Sequence, residues 1–306
     1  MNITICFTGL SSEPWVQGLQ QAFPQATVSS WVPGAPQADH AIVWAPPQAF
    51  IDEQPGLQTL FNIGAGVDAL LQLRLPANLK VVRLDDAGMS VQMAEYVCHA
   101  VIRHYREFDG YEADTQSGKW SYRKPRNRAD FAVGVMGLGV LGQRVAKALQ
   151  VFDFPVNGYS RSLKNSEGVR CFHGAQGLRE FLAATRVLVN LMPLTPETEN
   201  ILNHATLSQL PKGGYLINVA RGKHLVEDDL IALIDNGHLA GATLDVFRTE
   251  PLPAEHPFWR HPKVTVTPHT SARTLREESI AQIVGKMQAL QRGEAINGVV
   301  DPQRGY

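Results

Sequence analysis

Three short segments in the second half of the chain each close an apolar run with a side chain suited to carbonyl chemistry. LINVARG carries Arg221, DVFRTEPLP carries Glu250 and VTVTPHTSA carries His269. A guanidinium can grip a carboxylate through two parallel N–H groups while it polarises the adjacent ketone. A histidine can give its proton to the carbonyl oxygen as hydride arrives at the carbon. A carboxylate against that histidine orients the ring and favours its charged form. These are the needs of 2-keto acid reduction. Each residue alone also reads as a surface ion pair or a loop histidine. Together, at successive strand ends, Arg221, Glu250 and His269 are predicted to be catalytic, because ligand chemistry in a doubly wound sheet gathers beyond the carboxyl ends of its strands.

Hydride chemistry needs a donor, and FAVGVMGLGVLGQRVAKAL offers a place for one. Gly137 allows a tight turn, Gly139 removes a side chain where a pyrophosphate must approach, and Gly142 lets the helix pack on the strand. Val140 and Leu141 open that helix, whose free N–H groups and dipole face the phosphates. About twenty residues later an NAD enzyme carries an acid for the ribose 2′-OH; this chain has Ser160, Arg161 and Ser162. A serine adds no charge, and an arginine can meet a 2′-phosphate. At ~4 Å and an effective dielectric of ~20 that pair has a Coulomb term of roughly 4 kcal/mol before desolvation. NADPH is therefore the predicted cofactor, with NADH weaker, and Lys164 a secondary contact. Met192, Pro193 and Thr198 of LMPLTPET, Val219 and Ala220 before the arginine, and Asp245 are further expected cofactor contacts.

The segments GLGVLG, LMPLTPETENIL, LINVARG, DVFRTEPLP and TPHTSA stand in an order and spacing that resemble the D-isomer-specific 2-hydroxyacid dehydrogenase family. The resemblance implies a D-hydroxy acid product and a catalytic role for Arg221, Glu250 and His269. It also implies that NIGAGVD (62–68) binds the substrate carboxylate through the amides of Ala65, Gly66 and Val67. Gly64 and Gly66 permit such an anion nest. Trp44 reads either as a wall of the substrate pocket, favouring small keto acids, or as a packing aromatic, and Met89 and Met93 near the domain crossing read as core packing or as a lining of the nicotinamide. VVRLDDAGMSVQMAEY departs from the commoner family pattern. That departure, with GAGVD, EPLP and the tail VDPQRGY, resembles the family's bacterial glyoxylate/hydroxypyruvate reductase branch.

Positioning these groups takes an α/β frame. Apolar runs at 3–8, 41–44, 60–63 and 81–84 read as strands of a first unit, with a helix at 15–23. Strands at 131–136, 156–159, 187–191, 215–219, 242–246 and 264–266, with helices at 142–150 and 227–235, make a second. Between them, residues 91–115 read as one long helix that resembles the family's dimerisation element and predicts a homodimer. The last helix, 275–291, returns to the first unit. The expected fold is two doubly wound parallel-sheet domains, a flavodoxin-like substrate domain (1–92 plus 273–306) and a Rossmann NADP-binding domain (93–272), with a cleft between them.

Bulk properties narrow the class. The 306 residues carry 28 basic and 29 acidic side chains, a net charge of −1, which argues against a nucleic-acid partner. The basic stretch 119–128 reads as a solvated loop. No apolar run approaches ~18 residues, so no membrane span is expected. The N-terminus reads as a strand rather than a signal peptide. Cys6, Cys98 and Cys171 form no CxxC pair and fit a cytoplasmic protein. The histidines lack metal-ligand spacing. The reaction that the residues and the resemblance together imply is NADPH-dependent reduction of small 2-keto acids, glyoxylate to glycolate and hydroxypyruvate to D-glycerate. A formate- or phosphite-type dehydrogenase on the same scaffold and a non-enzymatic dinucleotide sensor stay open as alternatives.

Overall fold

A computed structural model describes residues 1–301, so only Val300 and Asp301 of the tail VDPQRGY are covered. The chain forms two compact units, Met1–Met89 joined by the segment from Arg273 onward, and Ser90–Ala272.

The first unit runs β1 (Asn2–Phe7), α1 (Glu13–Ala22), β2 (Thr27–Ser30), β3 (His40–Trp44), α2 (Gln48–Glu53), β4 (Thr59–Asn62) and β5 (Lys80–Arg83). The strands are all parallel in the order β2-β1-β3-β4-β5. Alternate side chains pack on opposite faces, as the pleat requires. Ile3, Ile5, Ile42, Phe61 and Val82 meet Trp15 and Leu19 of α1, while Cys6, Ala41, Val43, Leu60 and Val81 meet Phe50 and Ile51 of α2. Burial on both faces is what makes these strands read as short continuous apolar runs.

The second unit holds α3 (Met89–Arg106), which begins at the unit boundary, then α4 (Phe108–Gln116), β6 (Val133–Met136), α5 (Val140–Val151), β7 (Val156–Ser160), β8 (Val169–His173), α6 (Gly174–Ala183), β9 (Val187–Asn190), α7 (His204–Leu207), β10 (Gly214–Asn218), α8 (Glu227–Asp235), β11 (Leu239–Leu244) and β12 (Val264–Val266). Its sheet is also all parallel, ordered β12-β11-β10-β9-β6-β7-β8. The order reverses between β6 and β9, the place where such sheets bind ligands. Val133, Val135, Val187, Val189 and Ile217 pack under α3 and α5; Met136, Leu188, Leu216 and Leu244 pack under α6 and α8.

The closing helix α9 (Arg276–Gln291) supplies Ile283 and Met287 to the first unit's core. Its buried Lys286 donates to Asp85 Oδ2 at 2.8 Å, Arg83 O at 3.2 Å and Asn297 O at 2.7 Å. A buried ammonium is tolerable only when paired in this way.

Two expectations need correction. The helix over 91–115 is two helices, broken at Glu107, which sits in the left-handed region at φ 54°. Arg126 sits at the break: its Nη1 donates to the His104 carbonyl at 3.0 Å and its Nη2 pairs with Glu107 at 3.1 Å. The basic stretch 119–128 is consequently not uniformly solvated. Arg123 pairs with Asp114 at 2.6 Å, and Arg128 lies over the rings of Tyr105 and Phe154. Trp120 and Tyr122 remain almost wholly exposed.

Candidate active site

The segment after β12 folds around one buried carboxylate. Asp245 Oδ1 accepts from Thr267 Oγ1 at 2.6 Å and Thr270 N at 2.9 Å; Oδ2 accepts from Ser271 N at 2.8 Å. The Asp245 carbonyl takes the N–H of His269 at 2.8 Å. These bonds hold His269 at φ 51°, a backbone state that costs a non-glycine residue on the order of 1 kcal/mol and persists only when its surroundings impose it. The imidazole then meets Glu250, Nδ1 to Oε2, at 2.8 Å. With Nδ1 donating to a carboxylate, Nε2 is the nitrogen left for a reacting group. Glu250 Oε1 accepts from Phe247 N at 2.9 Å. Burial pushes the Glu250 carboxyl up. The hydrogen bonds from His269 and Phe247 and the charges of His269 and Arg221 outweigh it, so the group stays below its ordinary range.

Arg221 lies three residues beyond β10, and its charge reaches Glu250. Asn218 Nδ2 donates to the Arg221 carbonyl at 3.1 Å, and Arg221 Nη1 donates to Ala220 O at 2.7 Å. Gly222 is the key to the turn: a Cβ there would lie 1.8 Å from the Phe247 carbonyl carbon. Only glycine lets the turn carrying Arg221 approach the backbone whose N–H holds Glu250. The second unit thus brings Arg221, Glu250 and His269 together at the ends of β10, β11 and β12. Gly222 is the last residue of the LINVARG segment, and only the close approach of Phe247 reveals its role.

At the turn between β6 and α5, Gly137 has φ 110° and a Cβ would sit 2.6 Å from Leu191 O; one on Gly142 would sit 1.8 Å from Gly137 O. At Gly139 a Cβ would meet nothing within 4 Å, and the residue caps α5 without a side-chain bond. The turn is closed on its protein side and open where a pyrophosphate fits, against a helix start with Val140 exposed and Leu141 half-buried. Ser160 Oγ donates to Ser162 O at 2.8 Å, and Arg161 and Ser162 are exposed. Lys164 Nζ reaches back to Leu138 O at 2.7 Å, which puts its charge on the glycine turn itself. Glu197 is held below the usual carboxylate range by hydrogen bonds from Thr195 and from its own backbone, and then by the charge of Arg161. The loops after β7 and β9 therefore face each other across the switch point.

Other expected contacts have structural duties. Thr198 Oγ1 accepts from Thr195 N and donates to Pro193 O, both at 2.8 Å, so it closes the turn of LMPLTPET; the next helix, α7, is capped by Asn203. Met192, Val219 and Ala220 are buried. Asp245, expected beside the cofactor, has both carboxylate oxygens committed to the loop that carries His269. Met93 packs in the second unit's core.

In the first unit, Asn62 holds the GAGVD loop by donating to Gly64 O at 3.0 Å and Gly66 O at 2.9 Å. Neither glycine adopts a positive φ, so the expected nest is not the left-handed kind; turning the two carbonyls toward Asn62 shapes the loop instead. Among the described residues no hydrogen bond uses the N–H of Ala65, Gly66 or Val67. The Trp44 ring lies where a Cβ on Gly64 would be, 2.6 Å away, and the side chain is partly exposed.

A doubly wound sheet with an open glycine turn at its switch point and an Arg–Glu–His set over its strand ends defines a dinucleotide-dependent oxidoreductase. Known proteins agree on that class. The chain belongs to the D-isomer-specific 2-hydroxyacid dehydrogenase family, whose NAD-binding domain profile matches residues 98–271. It is 46% identical to glyoxylate/hydroxypyruvate reductase A of Serratia proteamaculans (strain 568) and 44% identical to that of Yersinia enterocolitica, each match covering 100% of both chains. Among solved structures it resembles a family member from Xanthobacter autotrophicus Py2 in complex with NADPH and MES, with a TM-score of 0.95 and 40% identity over 100% of this chain and 99% of that one. The NADPH-dependent glyoxylate/hydroxypyruvate reductase of Sinorhizobium meliloti, solved with NADP and sulfate, gives 0.93 and 34% with the same coverage.

Proposed function

We propose that the protein reduces small 2-keto acids, glyoxylate and hydroxypyruvate foremost, with NADPH. The observation that carries this reading is the 2.8 Å contact of His269 with Glu250, within the field of Arg221. NADPH, when bound, supplies the hydride that reaches the carbonyl carbon. Arg221 binds the substrate carboxylate and polarises the ketone. Glu250 fixes the imidazole with Nδ1 protonated and stabilises its charged form, so that Nε2 gives its proton to the carbonyl oxygen. The amides of Ala65, Gly66 and Val67 are further carboxylate ligands, and Trp44 is a wall that favours short substrates. Gly137, Gly139 and the start of α5 hold the pyrophosphate, while Ser160, Arg161, Ser162 and Lys164 receive the 2′-phosphate.

The exposed Trp120 and Tyr122 beside α3 and α4 support a homodimer in which a second copy covers this arm. No helix among the described residues is long and apolar enough to cross a membrane; the reading places the enzyme in the cytoplasm.

A kcat/KM matrix of NADPH and NADH against glyoxylate, hydroxypyruvate, pyruvate, formate and phosphite tests the function. We expect the highest values for NADPH with the first two acids. Turnover of formate or phosphite alone, or cofactor binding without turnover, refutes it. In the same matrix Arg161→Ala is expected to lower kcat/KM for NADPH about tenfold more than for NADH; equal losses would separate Arg161 from the 2′-phosphate.

A further inference from the structure

The carboxyl ends of β9 and β10 each carry an asparagine with no exposed surface, Asn190 and Asn218, and the turn after Arg221 adds a fully buried histidine, His224. Such groups persist in a core only when their hydrogen bonds are satisfied, and here the partners fix every proton. Asn190 Oδ1 accepts from Met192 N at 3.2 Å, which identifies the other end of that amide as the donor. Asn190 Nδ2 lies 3.0 Å from Asn218 Oδ1 and 3.0 Å from His224 Nδ1. An amide nitrogen only donates, so His224 Nδ1 must be the bare, accepting nitrogen. Its Nε2 lies 3.2 Å from Pro193 O, which only accepts, so Nε2 carries the proton. Both contacts select the same neutral tautomer.

The chain of bonds joins two parts of the site. Pro193 belongs to the loop read as a cofactor contact, and its carbonyl is gripped from the other side by Thr198. At the far end Asn218 Oδ1 also accepts from Ala220 N at 3.4 Å, while its Nδ2 donates to Arg221 O. Backbone pairing sustains the link: Leu202 N donates to His224 O at 2.9 Å and Val226 N to Leu202 O at 3.0 Å.

We propose that His224, as the Nε2–H tautomer, is a positioning residue that acts through Asn190 and Asn218 to set the 192–195 loop and the Arg221 turn in one fixed relation. Loading the dinucleotide site and placing the substrate-holding guanidinium are then a single structural state. This rests on the reading of Pro193 as a cofactor-loop residue and Arg221 as the carboxylate ligand.

Three measurements on the full-length protein test it. In histidine-15N-labelled protein at pH 7, with the His224 signals assigned by their loss in His224→Gln, two-bond 1H–15N spectra should show the neutral Nε2–H pattern. An Nδ1–H or doubly protonated ring overturns the proposal. His224→Phe keeps ring volume and removes both bonds. It should raise the NADPH dissociation constant about tenfold and lower kcat for glyoxylate by a similar factor. His224→Gln, whose amide offers one donor and one acceptor, should recover both to within about threefold of the unsubstituted protein. A role limited to stability predicts a lower Tm with NADPH affinity and kcat unchanged in the folded fraction, and that result also overturns the proposal. If His224→Phe does not fold, the tautomer and the glutamine variant still decide. Failure of the functional reading itself is distinguishable: the unsubstituted protein would then not reduce glyoxylate, while the tautomer and NADPH binding remain measurable.

Discussion

At the scale of single residues, His269 is fixed from two directions. Asp245 arrests its backbone and Glu250 its ring. Removing the imidazole is therefore expected to remove the proposed proton donor without disturbing the dinucleotide turn. His269→Ala should lower kcat/KM for glyoxylate by about 10²- to 10⁴-fold with NADPH affinity unchanged; turnover close to that of the unsubstituted protein would take the proton-donor role away from His269. Glu250→Gln leaves an acceptor for Phe247 N but can present an amide N–H to Nδ1, which favours the wrong tautomer. A loss of about 10²-fold or more is expected, by analogy with triads in which the orienting acid is replaced by its amide.

Secondary-structure elements make a different kind of prediction. His104 of α3 stacks on Tyr215 of β10 with ring centroids 4.1 Å apart, and its Nε2 is buried without a hydrogen-bond partner. Burial, reinforced by the charges of Arg126 and Arg186, lowers its pKa to about 3. The unfolded chain binds this proton near pH 6.5 and the folded chain does not, so stability falls as pH drops from ~6.5 toward ~3. At pH 4 the cost is about 3 kcal/mol. His104→Phe should retain the stack and flatten that part of the Tm–pH curve; a variant as acid-sensitive as the unsubstituted chain would show that the sensitivity arises elsewhere.

How far the sequence revealed these elements follows from how they are buried. Strands covered on both faces, such as the Val133–Met136 run of β6, announce themselves as apolar runs. The edge strands β2 and β8 escaped notice because each buries one residue, Val28 or Phe172. The break at Glu107 was invisible because the side chain that meets it, Arg126, lies nineteen residues away. Arg221, Glu250 and His269 were legible because each stands in a motif of its own. Asn190 and His224 were not, since an asparagine at a strand end and a histidine in a turn look ordinary until they meet 3.0 Å apart.

For the molecule as a whole, the fold explains why chemistry is concentrated in one contiguous stretch. All three side chains proposed to be catalytic and the glycine turn lie within Ser90–Ala272. The exposed arm at Trp120 and Tyr122 belongs to the same stretch and is the surface proposed for self-association. Trp120→Asp with Tyr122→Asp should shift the mass measured by light scattering from about twice 33.6 kDa toward one chain; an unchanged dimer would exclude the arm from the interface.

The return of α9 to the first unit also has a meaning in time. A ribosome delivers Ser90–Ala272 complete while the earlier unit still lacks Ile283, Met287 and the Lys286 ammonium that ties Asp85 to Asn297. The segment made first is therefore the one finished last. During synthesis its apolar face, with Trp15 and Leu19, waits for a helix that emerges nearly two hundred residues after Met89. Domains generally fold as they appear, so the dinucleotide-binding unit is positioned to mature first and the unit bearing Trp44 and GAGVD to close behind it.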